Sequence, residues 1–178
     1  MFGMLTKWVI AALIFSSGPG AAGKGQFKVA SSSMYPTLAK GAAVTCDQTA
    51  NAEYVAGDVV VYKHPKRPGQ YGVKTLVAGA GDIVLVHSGS LFINYRKIHQ
   101  SVSGGRKYER FANGRAVPVI YSNPGALANF FPAAKVPEGH VFVLGNNRDR
   151  SVDSRDIDAH GPVPAQNIVC KVRLGDKA

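Results

Sequence analysis

From Gln26 onward the apolar residues fall in short runs rich in Val and Ile, each closed by Gly or Pro, a pattern of strands rather than helices. Phe27, Val29 and Ser31 alternate with a period of two, which predicts a strand from Gln26 to Ser32 that Pro36 stops. Further strands are expected over Ala42 to Cys46, Gly57 to Tyr62, Tyr71 to Val77 and Asp82 to Val86. Gly41, Gly57, Gly69 and the Gly79-Ala80-Gly81-Asp82 turn separate them and imply short antiparallel connections. Leu91 to Asn94 and Arg96 to His99 read as a hairpin. Alternation lapses between Ser101 and Ala134, where Gly, Asn and Pro accumulate, and returns at His140 to Leu144 and Asn167 to Leu174. The expected fold is mostly β. An antiparallel core over residues 26–100 and 135–178 carries a small inserted subdomain at 101–134 and an N-terminal apolar segment at 1–25.

That first segment differs in kind from the rest. Sixteen uncharged residues separate Lys7 from Lys24, with an apolar core from Trp8 to Phe15 and small residues around Ala21-Ala22. Its length suits a removable export signal better than a full span of about 20 apolar residues, and a short anchor is the alternative. Either way the positive end stays cytoplasmic and the remainder crosses the membrane. Gly18 to Gly25 approaches a phosphate-binding loop, but Gly25 replaces the required hydroxyl residue and a strand follows, so that reading is rejected.

The 178 residues are 46% apolar and 18% charged, which is globular composition. A net charge of +10 raises the question of nucleic acid. The densest basic run, Lys63-His64-Pro65-Lys66-Arg67, is broken by proline and lacks stacking aromatics, so no nucleic-acid partner is expected. An anionic lipid surface is a second use for the charge. Cys46 and Cys170 lack the spacing of a zinc site, and no metal or other cofactor is expected; they pair in an exported domain or stay as buried thiols.

Candidate chemistry centres on Val29-Ala30-Ser31-Ser32-Ser33-Met34-Tyr35-Pro36-Thr37-Leu38, which places hydroxyls on alternate residues just before a chain reversal. Alone, it is equally a polar turn. Two later segments change that: Tyr71 to Val77 with Lys74 at its centre, and Gly145-Asn146-Asn147-Arg148-Asp149-Arg150-Ser151-Val152-Asp153-Ser154-Arg155. Together with Gly57 to Tyr62 and Gly81-Asp82, in this order, they closely resemble the type I signal peptidases, Ser/Lys-dyad proteases that remove export signals. A variant dedicated to conjugative pilin processing lies within the same resemblance.

The resemblance implies that Ser33 is the nucleophile and Lys74, 41 residues later, its general base. A lysine acts so only when neutral, so burial must bring its pKa from about 10.4 toward roughly 7–8. It further implies an oxyanion hole from the Ser33 N–H and the Ser31 hydroxyl, with Ser151 orienting the lysine. Asp153 braces the site by pairing with Arg148 or Arg155, and Met34 and Pro36 shape the substrate pocket. Implied partners are exported precursors with Ala-x-Ala-like cleavage sites and the lipid membrane. The implied location is the cytoplasmic membrane, with the catalytic part on its periplasmic or extracytoplasmic side. Asn146 stands where the family usually has Asp, and Asp156 to His160 is longer than the usual link to the final Gly-Pro-Val. The rival readings are a histidine-dependent exported hydrolase and a membrane-tethered β-domain that binds extended peptides without cutting them.

Overall fold

The computed structural model describes residues 14–15, 24–47, 53–123, 125–126 and 129–174. The strands, in chain order, begin with β1 (Ile14–Phe15), β2 (Lys24–Lys28), β3 (Ala43–Asp47), β4 (Val59–Lys63) and β5 (Tyr71–Ala78). Then come β6 (Ile83–His87), β7 (Ser90–Ile93), β8 (Arg96–Lys97), β9 (His99–Ser103), β10 (Arg106–Arg110), β11 (Ala116–Val119) and β12 (Phe131–Lys135). The chain closes with β13 (His140–Leu144), β14 (Val163–Pro164) and β15 (Ile168–Val172). The fold is mostly β, and the paired strands run antiparallel. The largest sheet has the order β1-β2-β3-β15-β4-β5-β13-β14; β12-β6-β7-β8 and β11-β10-β9 form two smaller ones.

β5 carries Lys74 through the interior of the largest sheet. It lies between β4 and β13, and every residue from Gly72 to Ala78 is buried. Val73 faces a core shared with Phe27, Met34 and Val61, whereas Leu76 faces another with Val60, Tyr62 and Val143. Lys74 shares the face of Leu76, because alternate residues of a strand point the same way.

The strand expected over Gln26 to Ser32 is shorter than its alternation suggested. β2 ends at Lys28, opposite Ala43, and pairing extends only through Val29, whose N–H donates to Ala42 O at 2.9 Å. Gly41, with φ of 87°, turns the partner strand away, so Ser31 to Ser33 lie in the connecting loop rather than at a strand end. The apolar positions beyond Val29 hold that loop instead: Met34 and Leu38 are buried with Val29, and Leu38 N–H donates to Met34 O at 3.0 Å.

Cys46 and Cys170 form a disulfide joining β3 to β15, with Cα atoms 5.6 Å apart. The segment expected over 1–25 lies almost entirely outside the described residues. Of it, Ile14–Phe15 pair with Lys28 and Phe27. No helix among the described residues is long and apolar enough to cross a membrane.

Candidate active site

The loop after β2 and the centre of β5 bring Ser33 and Lys74 together. Lys74 Nζ donates to Ser33 Oγ at 2.7 Å, and Ser31 Oγ lies 3.1 Å from the same oxygen. Ser33 N–H in turn points to Ser31 Oγ at 3.3 Å. All three residues line an open cavity of about 870 Å³, together with Ser151, His64 and His160.

Lys74 is only 4% exposed. Burial, which penalises the ammonium form, is the main cause of a pKa lowered to about 8; the Asp153 carboxylate pulls it up and the Arg155 guanidinium pushes it down. Asp153 does not neutralise the lysine because its oxygens are already engaged. Arg155 donates through Nε to Oδ1 and through Nη2 to Oδ2, both at 2.8 Å, and Gly145 N–H donates to Oδ2 at 2.9 Å. Burial works to raise the Asp153 pKa, but Arg155 and these hydrogen bonds outweigh it and hold the carboxyl well below its usual range.

Of the two arginines expected to pair with Asp153, the structure selects Arg155 and places Arg148 elsewhere. The Arg148 guanidinium is fully buried, with Nη1 and Nη2 at 3.0 and 2.5 Å from the two oxygens of Glu109 on β10. Its Nε caps Gly145 O at 3.0 Å, and Tyr121 Oη completes its shell. A fork fits two parallel acceptors, so the acid it found was the one free to offer both oxygens. Arg148 therefore braces the turn that follows β13 rather than the carboxylate of the site.

Ser151 lines the cavity, and its nearby hydroxyl favours ionised Asp153 without reaching hydrogen-bond geometry with any described residue. Met34, expected at the substrate pocket, is instead fully buried in the core, where its long apolar side chain anchors the loop; neither it nor Pro36 lines the cavity.

The roles of several residues of the site escaped sequence reasoning, although Gly145, Asn146 and Asn147 lie in a segment it had singled out. Gly145 is one, since a Cβ there would collide with Ser151 Oγ and sit 2.7 Å from Ser33 O. Asn147 N–H next to this turn donates to Ser33 O at 2.9 Å, so the turn and the serine loop are tied directly. Asn146 accepts from Thr75 Oγ1 at 2.7 Å and donates to Thr37 Oγ1, linking the neighbour of Lys74 to the loop of Ser33. Glu109 is a further one, and nothing near it in sequence marks it: it lies in the stretch where alternation lapses, which the structure nevertheless folds into β9 to β12, and it meets Arg148 only through the fold.

The antiparallel β fold thus presents a serine hydroxyl to a buried lysine of lowered pKa in an open cleft. The family model described as "Signal peptidase, peptidase S26" matches residues 3–175, and the chain belongs to that family. Signal peptidase I of Rickettsia bellii is 34% identical over 141 residues, which cover 66% of this chain and 46% of the relative. The chloroplastic thylakoidal processing peptidase 1 of Arabidopsis thaliana is 35% identical over 154 residues, 79% of this chain and 38% of the relative. Signal peptidase I T of Bacillus subtilis is 33% identical over 132 residues, covering 73% and 63%. The chain thus spans less than two thirds of the length of these relatives. A crystal structure of a signal peptidase I from Enterococcus faecalis covers 70% of this chain and 100% of its own at 23% identity, with a TM-score of 0.46.

Proposed function

We propose that the chain is an endopeptidase that removes N-terminal signal or leader peptides from exported precursors, with Ser33 as nucleophile and Lys74 as general base. The observation that carries this reading is the 2.7 Å contact between Lys74 Nζ and Ser33 Oγ, made by a lysine whose pKa is lowered to about 8. Neutral Lys74 takes the Ser33 hydroxyl proton as Oγ attacks the scissile carbonyl. The resulting ammonium returns that proton to the departing amine, leaving an acyl-serine. The same amine then takes a proton from water, whose oxygen attacks the acyl carbon; the acyl–Oγ bond breaks, the ammonium returns the proton to Ser33 Oγ, and the peptide leaves as a carboxylic acid. Ser33 N–H and the Ser31 hydroxyl, which contact each other in the free protein, turn to the developing oxyanion. The apolar stretch ahead of β1 is retained at the membrane and holds Ser33 on the outer side of the cytoplasmic membrane, where Ala-x-Ala-like cleavage sites emerge.

Histidine is poorly placed to replace the lysine. The hydrogen-bond partners of Ser33 Oγ are Lys74 and Ser31, and the His160 ring nitrogens are occupied by Tyr62 and Gly161. The test is Lys74→Arg beside Ser33→Ala on a precursor with a defined cleavage site. Arginine keeps the charge but cannot lose its proton. Both variants are expected to be inactive at every accessible pH, while wild-type kcat/KM rises with pH up to about 8 as the amine becomes neutral. Substantial cleavage by Lys74→Arg removes the base role.

A further inference from the structure

The segment Asp156 to His160 builds one wall of the cavity. Lys66 Nζ clasps it by donating to Ile157 O at 2.5 Å and Asp158 O at 3.1 Å, and Asp156 O accepts the N–H of His160 at 2.9 Å. These contacts deliver a buried histidine, 2% exposed, to the cavity. His160 Nδ1 lies 2.7 Å from Gly161 O, and since a carbonyl only accepts, Nδ1 carries the proton. The neutral ring therefore offers its Nε2 lone pair to the Tyr62 hydroxyl, 2.6 Å away.

Tyr62 is the link to the reaction. On the β4–β5 ladder Val60 pairs with Lys74 and Tyr62 with Gly72, so Tyr62 and Lys74 are diagonal neighbours on one face. The phenol lies over Gly72, where a Cβ would be 2.5 Å from Tyr62 Oη; only glycine leaves room for the ring across β5. Tyr62 itself is 1% exposed.

We propose that His160 is a positioning residue: by holding the Tyr62 hydroxyl it fixes the phenol beside Lys74 and keeps water away from the amine. The inference rests on the Ser33–Lys74 reading and extends it to a residue in the cavity wall. The other polar and titratable groups facing Lys74 are Ser33 and Ser31 from the serine loop, Asp153 and Arg155 from the turn after β13, and His64 from the β4–β5 turn. His64 packs edge-on to His160 with ring centres 4.9 Å apart, and its pKa is lowered to about 4, mainly by burial. That of His160 is lowered too, again mainly by burial, so both rings are neutral where Lys74 titrates.

The experiment follows Lys74 itself by lysine ¹³Cε NMR titration of the full chain, its signal assigned by loss in Lys74→Met. A pH profile of kcat/KM on a precursor with an Ala-x-Ala site runs alongside. His160→Ala is expected to raise the Lys74 midpoint by about one unit, leaving about tenfold less neutral amine and about tenfold lower kcat/KM at pH 7, with the rate recovering at higher pH. Tyr62→Phe, which keeps the ring and removes only the hydroxyl, moves the midpoint in the same direction by less. The double variant moves it no further than His160→Ala. His160→Gln, with one donor and one acceptor, restores most of the shift. An unmoved midpoint in folded Tyr62→Phe and His160→Ala overturns the proposal, and Tyr62→Phe decides alone if His160→Ala does not fold. Because the titration needs no turnover, failure of the positioning role is separable from failure of the base role, which Lys74→Arg reads.

Discussion

Lys74 and Arg148 are two buried cations whose fates are opposite. Arg148 meets a bidentate carboxylate, Glu109, with Tyr121 Oη and Gly145 O around it. Burial works against its charge, but the attraction of Glu109 more than offsets this and raises its pKa further. Lys74 donates to a neutral hydroxyl, and the nearest acid, Asp153, is committed to Arg155 and Gly145 N–H. Burial is common to both, so it is the acceptor that decides. A cation given its own carboxylate keeps its charge; one whose acid is committed elsewhere loses its proton more easily.

The largest expected consequence lies on the Arg148 side. Arg148→Met leaves Glu109 buried without its partner and is expected to lower unfolding stability by about 3–5 kcal/mol, whereas replacing both residues with apolar ones recovers most of the loss. Chemical denaturation measures this. If the single variant is as stable as wild type, the pair does not brace the turn.

Lys74→Met is expected to change stability with the opposite sign. The folded pKa of about 8 lies below the ordinary 10.5, so the unfolded state binds more protons between those values and stability rises with pH through that window. Below pH 8 the full penalty is present, about 3 kcal/mol for a shift of this size. Lys74→Met is therefore expected to be more stable than wild type by up to that amount at pH 7, to lose the advantage above pH 10.5, and to cleave nothing. A Lys74→Met protein that is less stable at pH 7 contradicts the neutral-amine account.

A smaller effect is expected where the two systems meet. Gly145 O accepts from Arg148 while Gly145 N–H holds Asp153, and the residue touches both Ser151 and the Ser33 backbone. Gly145→Ala has to shift one of them. A displacement near 1 Å at the nucleophile costs on the order of 10² in kcat. Thermal unfolding beside the kinetics separates this from global destabilisation, and unchanged kcat removes the turn from the positioning of Ser33.

Period-two alternation and glycine punctuation are local signals, so the strand-rich fold was legible in the sequence. So were the order of the segments that meet at the site and the need of a lysine in an apolar strand to lose its charge or find a partner. The end of β2 was read too late, since alternation reports which residues are apolar and not where Gly41 turns the partner strand away. The folded chain chose between partners the sequence had left open, Arg155 over Arg148 for Asp153 and a disulfide over free thiols for Cys46 and Cys170, and supplied two it had not signalled, Arg148 with Glu109 across 39 residues and Tyr62 with His160 across 98. Such choices depend on which donors and acceptors arrive unsatisfied at the same point. Charge alone cannot rank two arginines near one acid, because the ranking is made by the fork geometry and by the carboxylate that the three-stranded sheet brings to Arg148.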